Sequence, residues 1–261
     1  IRDSSTSRGL GDVYKRQEVS NLNLFLGNKH ILKDIHFKIP IAGEMIGIMG
    51  PNGAGKSSLL KSLIGDFQAT GTQLLYQRPI HTQLKYMTYI PQKSNIDLDF
   101  PINVEKVILS GCYGDIGWFS KPKHETKIQL NQLLDDLDLK SLKRKQISAL
   151  SGGQLQRVLV ARALMSKSKL YLFDEPFVGI DFKSEQLIMN KIRQLKAQGK
   201  LILIVHHDLT KASQYFDRIM LLNQTLRYFG NAEEAMNSDT LLNDTFMSQN
   251  SHVDVSSKGS A

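Results

Sequence analysis

Residues 45–65 read MIGIMGPNGAGKSSLLKSLIG. The continuous apolar run MIGIM at 45–49 has the composition of a strand buried on both faces. GPNGAGKS at 50–57 follows and fits the pattern G-x-x-x-x-G-K-[ST]. KSSLLKSLIG then reads as a short helix closed by Gly65. Strand, glycine-rich turn and helix in that order are the context in which this pattern binds phosphate. The glycines let backbone N–H groups converge on phosphate oxygens, and the helix N-terminus adds its partial positive charge. Gly50, Pro51, Asn52, Gly53, Ala54, Gly55, Lys56, Ser57 and Ser58 are thus candidate phosphate contacts. Lys56 is expected to reach the β- and γ-phosphates, and the Ser57 hydroxyl to ligate Mg²⁺.

A second anchor is KLYLFDEP at 169–176. Apolar and aromatic residues precede two acids, so the acids emerge at the C-terminal end of a strand, where ligands bind in sheets of this kind. Asp174 is the candidate that holds Mg²⁺ through its water shell, and Glu175 the candidate general base for the attacking water. Two adjacent acids could also only cap the next segment. The phosphate loop upstream favours the catalytic reading.

Outward from these anchors, Leu22, Leu24 and Leu26 alternate, as do Ile35, Phe37 and Ile39, which predicts two antiparallel strands. TQLLY at 72–76 and YMTYI at 86–90 predict further strands. From 93 to 150 helical periodicity takes over, in NVEKVILSG and in HETKIQLNQLLDDLDL. Alternation then resumes: a helix over 152–166, a strand at 169–173, a helix near 183–197, the strand LILIV at 201–205 and a helix after His207. RIMLL and TLRYF close the pattern as a hairpin. Buried strands alternating with helices predict an α/β fold with a mostly parallel core sheet, an N-terminal antiparallel β subdomain and an inserted helical subdomain.

The 261 residues carry a net charge of +8 and one cysteine. The single cysteine excludes an internal disulfide framework. The longest apolar runs are strand-sized, far short of the roughly 20 residues a spanning helix needs, so work at a membrane requires docking onto another chain. The positive charge is scattered apart from Lys140, Lys143, Arg144 and Lys145, and no nucleic-acid partner is expected. Residues 1–17 lack apolar periodicity and are read as an adaptor- or cloning-derived segment. The catalytic domain is placed at 18–249, and residues 250–261 are expected to be a disordered tail.

LSGGQ at 150–154, taken with GPNGAGKSS, YIPQ, LFDEP, GID and HHD in this order, resembles the ATP-binding cassette (ABC) ATPases, a class of P-loop NTPase. The resemblance runs from about Val19 to Phe246. It implies ATP and Mg²⁺ as cofactors and a head-to-tail homodimer with ATP between the copies. Gln92 would follow the Mg²⁺ and the attacking water. Ser151, Gly152, Gly153 and Gln154 would bind the γ-phosphate of ATP held by the other copy. Ser151 is also a good N-cap in its own right. Asp181 would communicate between the two sites, and His207 would be the switch at the γ-phosphate, with His206 assigned to the strand end. One departure concerns adenine, which this family stacks on an aromatic ahead of a glycine. Leu26 stands there, before Gly27, with Phe25 beside it. Either a bulge brings Phe25 round or adenine rests on aliphatic surface.

FPINVEKVILSGCYGDIGWFSKPK at 100–123, above all YG-x-x-GWF, resembles the ATPases of importers for manganese, zinc and chelated iron. VHHDL and FDRIMLLNQTLRYFG fit the same group. This implies a separate integral-membrane permease, an extracytoplasmic metal-binding protein, and a place on the cytoplasmic face of the inner membrane. Trp118 and Phe119 are either the docking surface for the permease or plain packing in the helical subdomain. The alternative function is a soluble ABC-type ATPase acting on a macromolecular complex.

Overall fold

The computed structural model describes residues 15–92, 98, 100–116 and 122–247. Trp118 and Phe119, and the proposed tail from 250, lie outside the described residues.

Two sheets and a set of helices form the described chain. The first sheet is antiparallel. It holds β1 (Arg16–Leu26), β2 (Lys29–Pro40), β4 (Thr70–Leu75) and β5 (Arg78–Pro79), in the order β2-β1-β4-β5. β1 begins inside the stretch read as adaptor-derived: Gln17 is fully buried and pairs with Ile39 and Leu75. The second sheet holds β3 (Glu44–Met49), β6 (Met87–Ile90), β7 (Leu170–Asp174), β8 (Leu201–Val205), β9 (Arg218–Asn223) and β10 (Thr225–Asn231). Its order is β10-β9-β3-β8-β7-β6, parallel throughout except for the β9–β10 hairpin.

The period of two along the parallel strands splits their side chains between two cores. Ile46, Ile48, Leu170, Leu172, Leu201 and Leu203 face the antiparallel sheet and α1 (Lys56–Ile64), which contributes Leu59, Leu60 and Leu63. Met45, Met49, Tyr171, Phe173, Ile202 and Ile204 face the opposite core. That second core is shared with α2 (Val104–Ser110), α4 (His124–Asp136), α5 (Gly152–Leu164) and α6 (Phe182–Ala197). A short α3 (Tyr113–Ile116) lies between α2 and α4 in sequence. The sandwiched position of the sheet explains why β3, β7 and β8 read as unbroken apolar runs.

The turn at Gly65 is as expected: Gly65 takes φ 84° and its N–H bonds back to the last turn of α1. The helix expected after His207 takes the form of a 3-10 turn at Leu209–Lys211 followed by a short α7 (Ala212–Tyr215). Two C-terminal helices were not foreseen, α8 (Ala232–Met236) and α9 (Asp239–Phe246). Each is only five to eight residues long, too short for periodicity to stand out. Their N-caps, Asn231 and Ser238, were the available signal.

Candidate active site

The C-terminal ends of β3 and β7, adjacent to β8, bring the two anchors together. The loop at 50–55 leaves β3 and enters α1 with Gly55 as N-cap at φ 96°, and no side chain caps the helix. Its first N–H groups therefore face the cleft without an internal acceptor from a cap. Gly50 is obligatory here: at φ 156°, a Cβ would sit 1.9 Å from the Leu222 carbonyl oxygen. The β9–β10 turn braces the loop from behind, with Gln224 N–H donating to Ala54 O at 2.9 Å. The resulting cleft of ≈280 Å³ is lined by Ile31, the loop from Asn52 to Ser58, and Glu175. A larger cavity of ≈740 Å³ lies between α4 and α6 and touches none of the candidate site residues, so size alone does not locate this site.

Lys56 is buried beneath its own loop, and its Nζ donates to the carbonyls of Gly50 and Pro51, both at 2.8 Å. Burial pulls its pKa down, while the carboxylates of Glu175 and Asp174 oppose that pull. The ammonium is thus held by the carbonyls of its own loop.

Asp174 ends β7 and is 3% exposed. Ser57 Oγ donates to its Oδ1 at 2.7 Å, and Tyr89 Oη to its Oδ2 at 3.0 Å. A hydroxyl and a carboxylate side by side at a helix N-terminus are hard oxygen donors of the kind Mg²⁺ takes. Ser57 can donate its proton to Asp174 and still present a lone pair to a metal. Glu175 follows at φ 50°, a left-handed backbone uncommon for a non-glycine residue. Gln92, just past β6, donates from Nε2 to Glu175 Oε2 at 2.8 Å. So Gln92, Glu175, Asp174, Ser57 and Lys56 converge as expected.

His206 and His207 part company. His206 is buried, its N–H bonded to Ile48 O and its ring set edge-on to Phe177 and Phe216. Burial, reinforced by His207, drives its pKa down to about 4. His207 is exposed. That division matches the assignment of His206 to the strand end.

The LSGGQ stretch at 150–154, the family's signature, does not line the loop cleft of its own chain. Ser151 and Gln154 form a reciprocal capping box at the start of α5: Gln154 N–H donates to Ser151 Oγ at 3.3 Å, and Ser151 N–H to Gln154 Oε1 at 3.0 Å. Gly153 packs against the start of α6, where Asp181 is the N-cap and accepts from Ser184 N–H and Ser184 Oγ. Those bonds hold the Asp181 carboxyl below the usual carboxylate range. Asp181 and Gly153 were proposed for separate reasons and turn out to touch.

Toward the β1–β2 turn, the register slips between Leu24 and Phe25, as Leu24 faces Leu32 but Phe25 faces His30. The extra residue is Ile31, which enters the cleft lining. Phe25 and Leu26 are both exposed, and Phe25 stacks on His30 with centroids 4.0 Å apart. Tyr89 and Ile31 are the residues that sequence reasoning missed. Tyr89 carried a signal, an aromatic hydroxyl three residues ahead of Gln92 on the strand beside β7.

Comparison with known proteins agrees with this geometry. The ABC transporter family matches residues 32–178. A manganese transport system ATP-binding protein of Halalkalibacterium halodurans is 41% identical over 213 residues, covering 82% of this chain and 85% of the relative. A zinc transport system ATP-binding protein of Treponema pallidum is 42% identical over 207 residues, covering 79% of this chain and 77% of the relative. Among solved structures, an ATP-binding subunit of an ABC transporter superposes with a TM-score of 0.76 at 24% identity. That match covers 88% of this chain and 98% of that one, a likeness of fold. On its motifs, its two-sheet architecture and these relatives, the chain belongs to the ABC transporter family and is its ATP-hydrolysing, nucleotide-binding component.

Proposed function

We propose that the chain powers an importer for a divalent metal cation, manganese, zinc or iron, as the ATPase beneath a separate permease. The observation that carries the cargo class is the likeness, above 40% identity, to ATP-binding subunits named for manganese and zinc transport. Those names favour import over remodelling of a soluble complex. Among the described residues, no helix is long and apolar enough to cross a membrane. On this reading a separate permease supplies the path and this chain sits against it on the cytoplasmic face, as the relatives' transport-system names suggest. An extracytoplasmic metal-binding protein would deliver the cargo.

Two copies work head to tail. What supports this is the separation, within one chain, of the phosphate cleft from Ser151, Gly153 and Asp181. Each site is completed by the signature of the partner copy. Gly50 to Ser58 hold the triphosphate, with Lys56 released from its two carbonyls onto phosphate oxygens. Ser57 and Asp174 would hold Mg²⁺, which would offset phosphate charge. Glu175 takes the proton of the attacking water, and Gln92, already bonded to Glu175, fixes that water's direction. His207, exposed beside the cleft-forming strand, meets the γ-phosphate.

The test is uptake of Mn²⁺, Zn²⁺ and Fe²⁺, assayed in parallel in a strain lacking the gene. Loss of uptake for one metal, restored by the parent gene but not by the Glu175→Gln variant, is the expected result. Unchanged uptake of all three overturns the metal-import reading.

A further inference from the structure

We propose that Tyr89 is a positioning residue for the metal-binding carboxylate, holding Asp174 through its Oδ2 so that Oδ1 stays with Ser57. This rests on the reading that Ser57 and Asp174 hold Mg²⁺. Asp174 has two oxygens and each has one donor: Ser57 Oγ at 2.7 Å on one side and Tyr89 Oη at 3.0 Å on the other. The carboxylate is almost wholly buried, so a lost donor is not readily replaced by bulk water. A carboxylate with one oxygen fixed cannot rotate about its terminal torsion, and that oxygen is fixed from outside the metal site. Partners of this kind orient metal ligands and are commonly worth 10-fold or more in metal affinity.

The position of Tyr89 is itself well determined. It lies in β6 opposite Leu172 of β7, two residues short of Asp174 in the parallel register. Its neighbour Thr88 is pinned by hydroxyl bonds to Ser166 and Ser168, both at 2.7 Å. The phenol is the donor in this bond, because an ionised carboxylate oxygen can only accept. Three residues on, Gln92 makes the matching bond to Glu175. β6 and the residues just past it therefore grip both acids at the end of β7, Asp174 by Tyr89 and Glu175 by Gln92. A shift of β6 would reach the metal ligand and the general base together.

The experiment is Mn²⁺ binding followed by electron paramagnetic resonance, with a saturating non-hydrolysable ATP analogue. Parent and Tyr89→Phe are compared, with nucleotide affinity in EDTA measured alongside. The variant keeps the ring and removes only the donor. Expected is a rise in the Mn²⁺ Kd of about 10-fold, with metal-free nucleotide affinity unchanged. An unchanged Mn²⁺ Kd overturns the positioning role while leaving the Ser57–Asp174 metal site standing. Equal losses in both measurements also overturn it, because they mark a general packing defect. No protein-dependent Mn²⁺ signal in the parent removes the metal site itself, and the proposal with it.

Discussion

Replacing Gly153 by alanine should destabilise the chain even with no nucleotide present. Gly153 is the second residue of α5, and a Cβ there would lie 2.6 Å from Asp181 Oδ2, 2.7 Å from Ser184 Oγ and 3.3 Å from Ser184 Cβ. The two oxygen contacts are well inside the roughly 3.5 Å at which non-bonded heavy atoms attract. Neither oxygen is free to leave. Asp181 caps α6 by accepting from Ser184 N–H at 2.8 Å and Ser184 Oγ at 2.7 Å. Relief requires moving α5 away from α6, about 1–3 kcal/mol for overpacking, or breaking the cap, about 0.5–2 kcal/mol. Against this, alanine in place of glycine in an open helix gains up to about 1 kcal/mol. The net expectation is a loss of up to about 2 kcal/mol, which in a chain of this size lowers the melting temperature by up to roughly 8 °C. Thermal unfolding of the nucleotide-free chain by circular dichroism measures it. The loss should shrink in a Ser184→Ala background, where one of the two clashing oxygens is absent. Melting of Gly153→Ala at or above the parent temperature would refute the packing account and leave Gly153 only its proposed contact with the partner copy's nucleotide.

Three further outcomes are expected. Glu175→Gln should bind ATP but hydrolyse it about 10²–10⁴-fold more slowly, the usual size of a general-base contribution; hydrolysis at the parent rate in a single-turnover assay removes Glu175 from that role. Lys56→Ala and Ser151→Ala chains, each inactive alone, should recover ATPase activity when mixed, because one site of the mixed pair has both halves intact. Continued inactivity in a mixture shown to form heterodimers counts against head-to-tail sites. The third outcome concerns His206, neutral in the fold because burial lowers its pKa to about 4 from 6.5. Below pH 6.5 the unfolded chain takes up a proton that the folded chain refuses, so stability falls with pH until the folded group also protonates near pH 4. The loss is on the order of 3 kcal/mol. Melting curves from pH 7 to 4.5 should flatten in His206→Phe, and identical slopes in parent and variant would exclude His206 as the source.

The contiguous chemistry was legible in the residues themselves. A phosphate loop is built from consecutive backbone N–H groups, so GPNGAGKS carries its geometry in its own glycines and in the helix that follows. Ser151 and Gln154 are likewise a local device, since a capping box spans four residues, and the structure realises it. The buried strands were legible because an apolar run between turns has few other uses. Short elements were not: α7, α8 and α9 are too brief for a period to show.

What the tertiary structure alone decided is every pairing across strands or between helices. Tyr89 meets Asp174, and Gln92 meets Glu175, because β6 lies parallel to β7 in one particular register. Gly153 meets Asp181 because α5 and α6 pack closely over the same core. Ile31 reaches the phosphate cleft because the β1–β2 register slips by one residue. Register and helix contact are set by how the whole apolar surface is buried, a sum over distant residues that no short stretch contains. The sequence by itself determined which groups are candidates for chemistry on phosphate, and the packing of the fold determined which neighbours hold those groups in place.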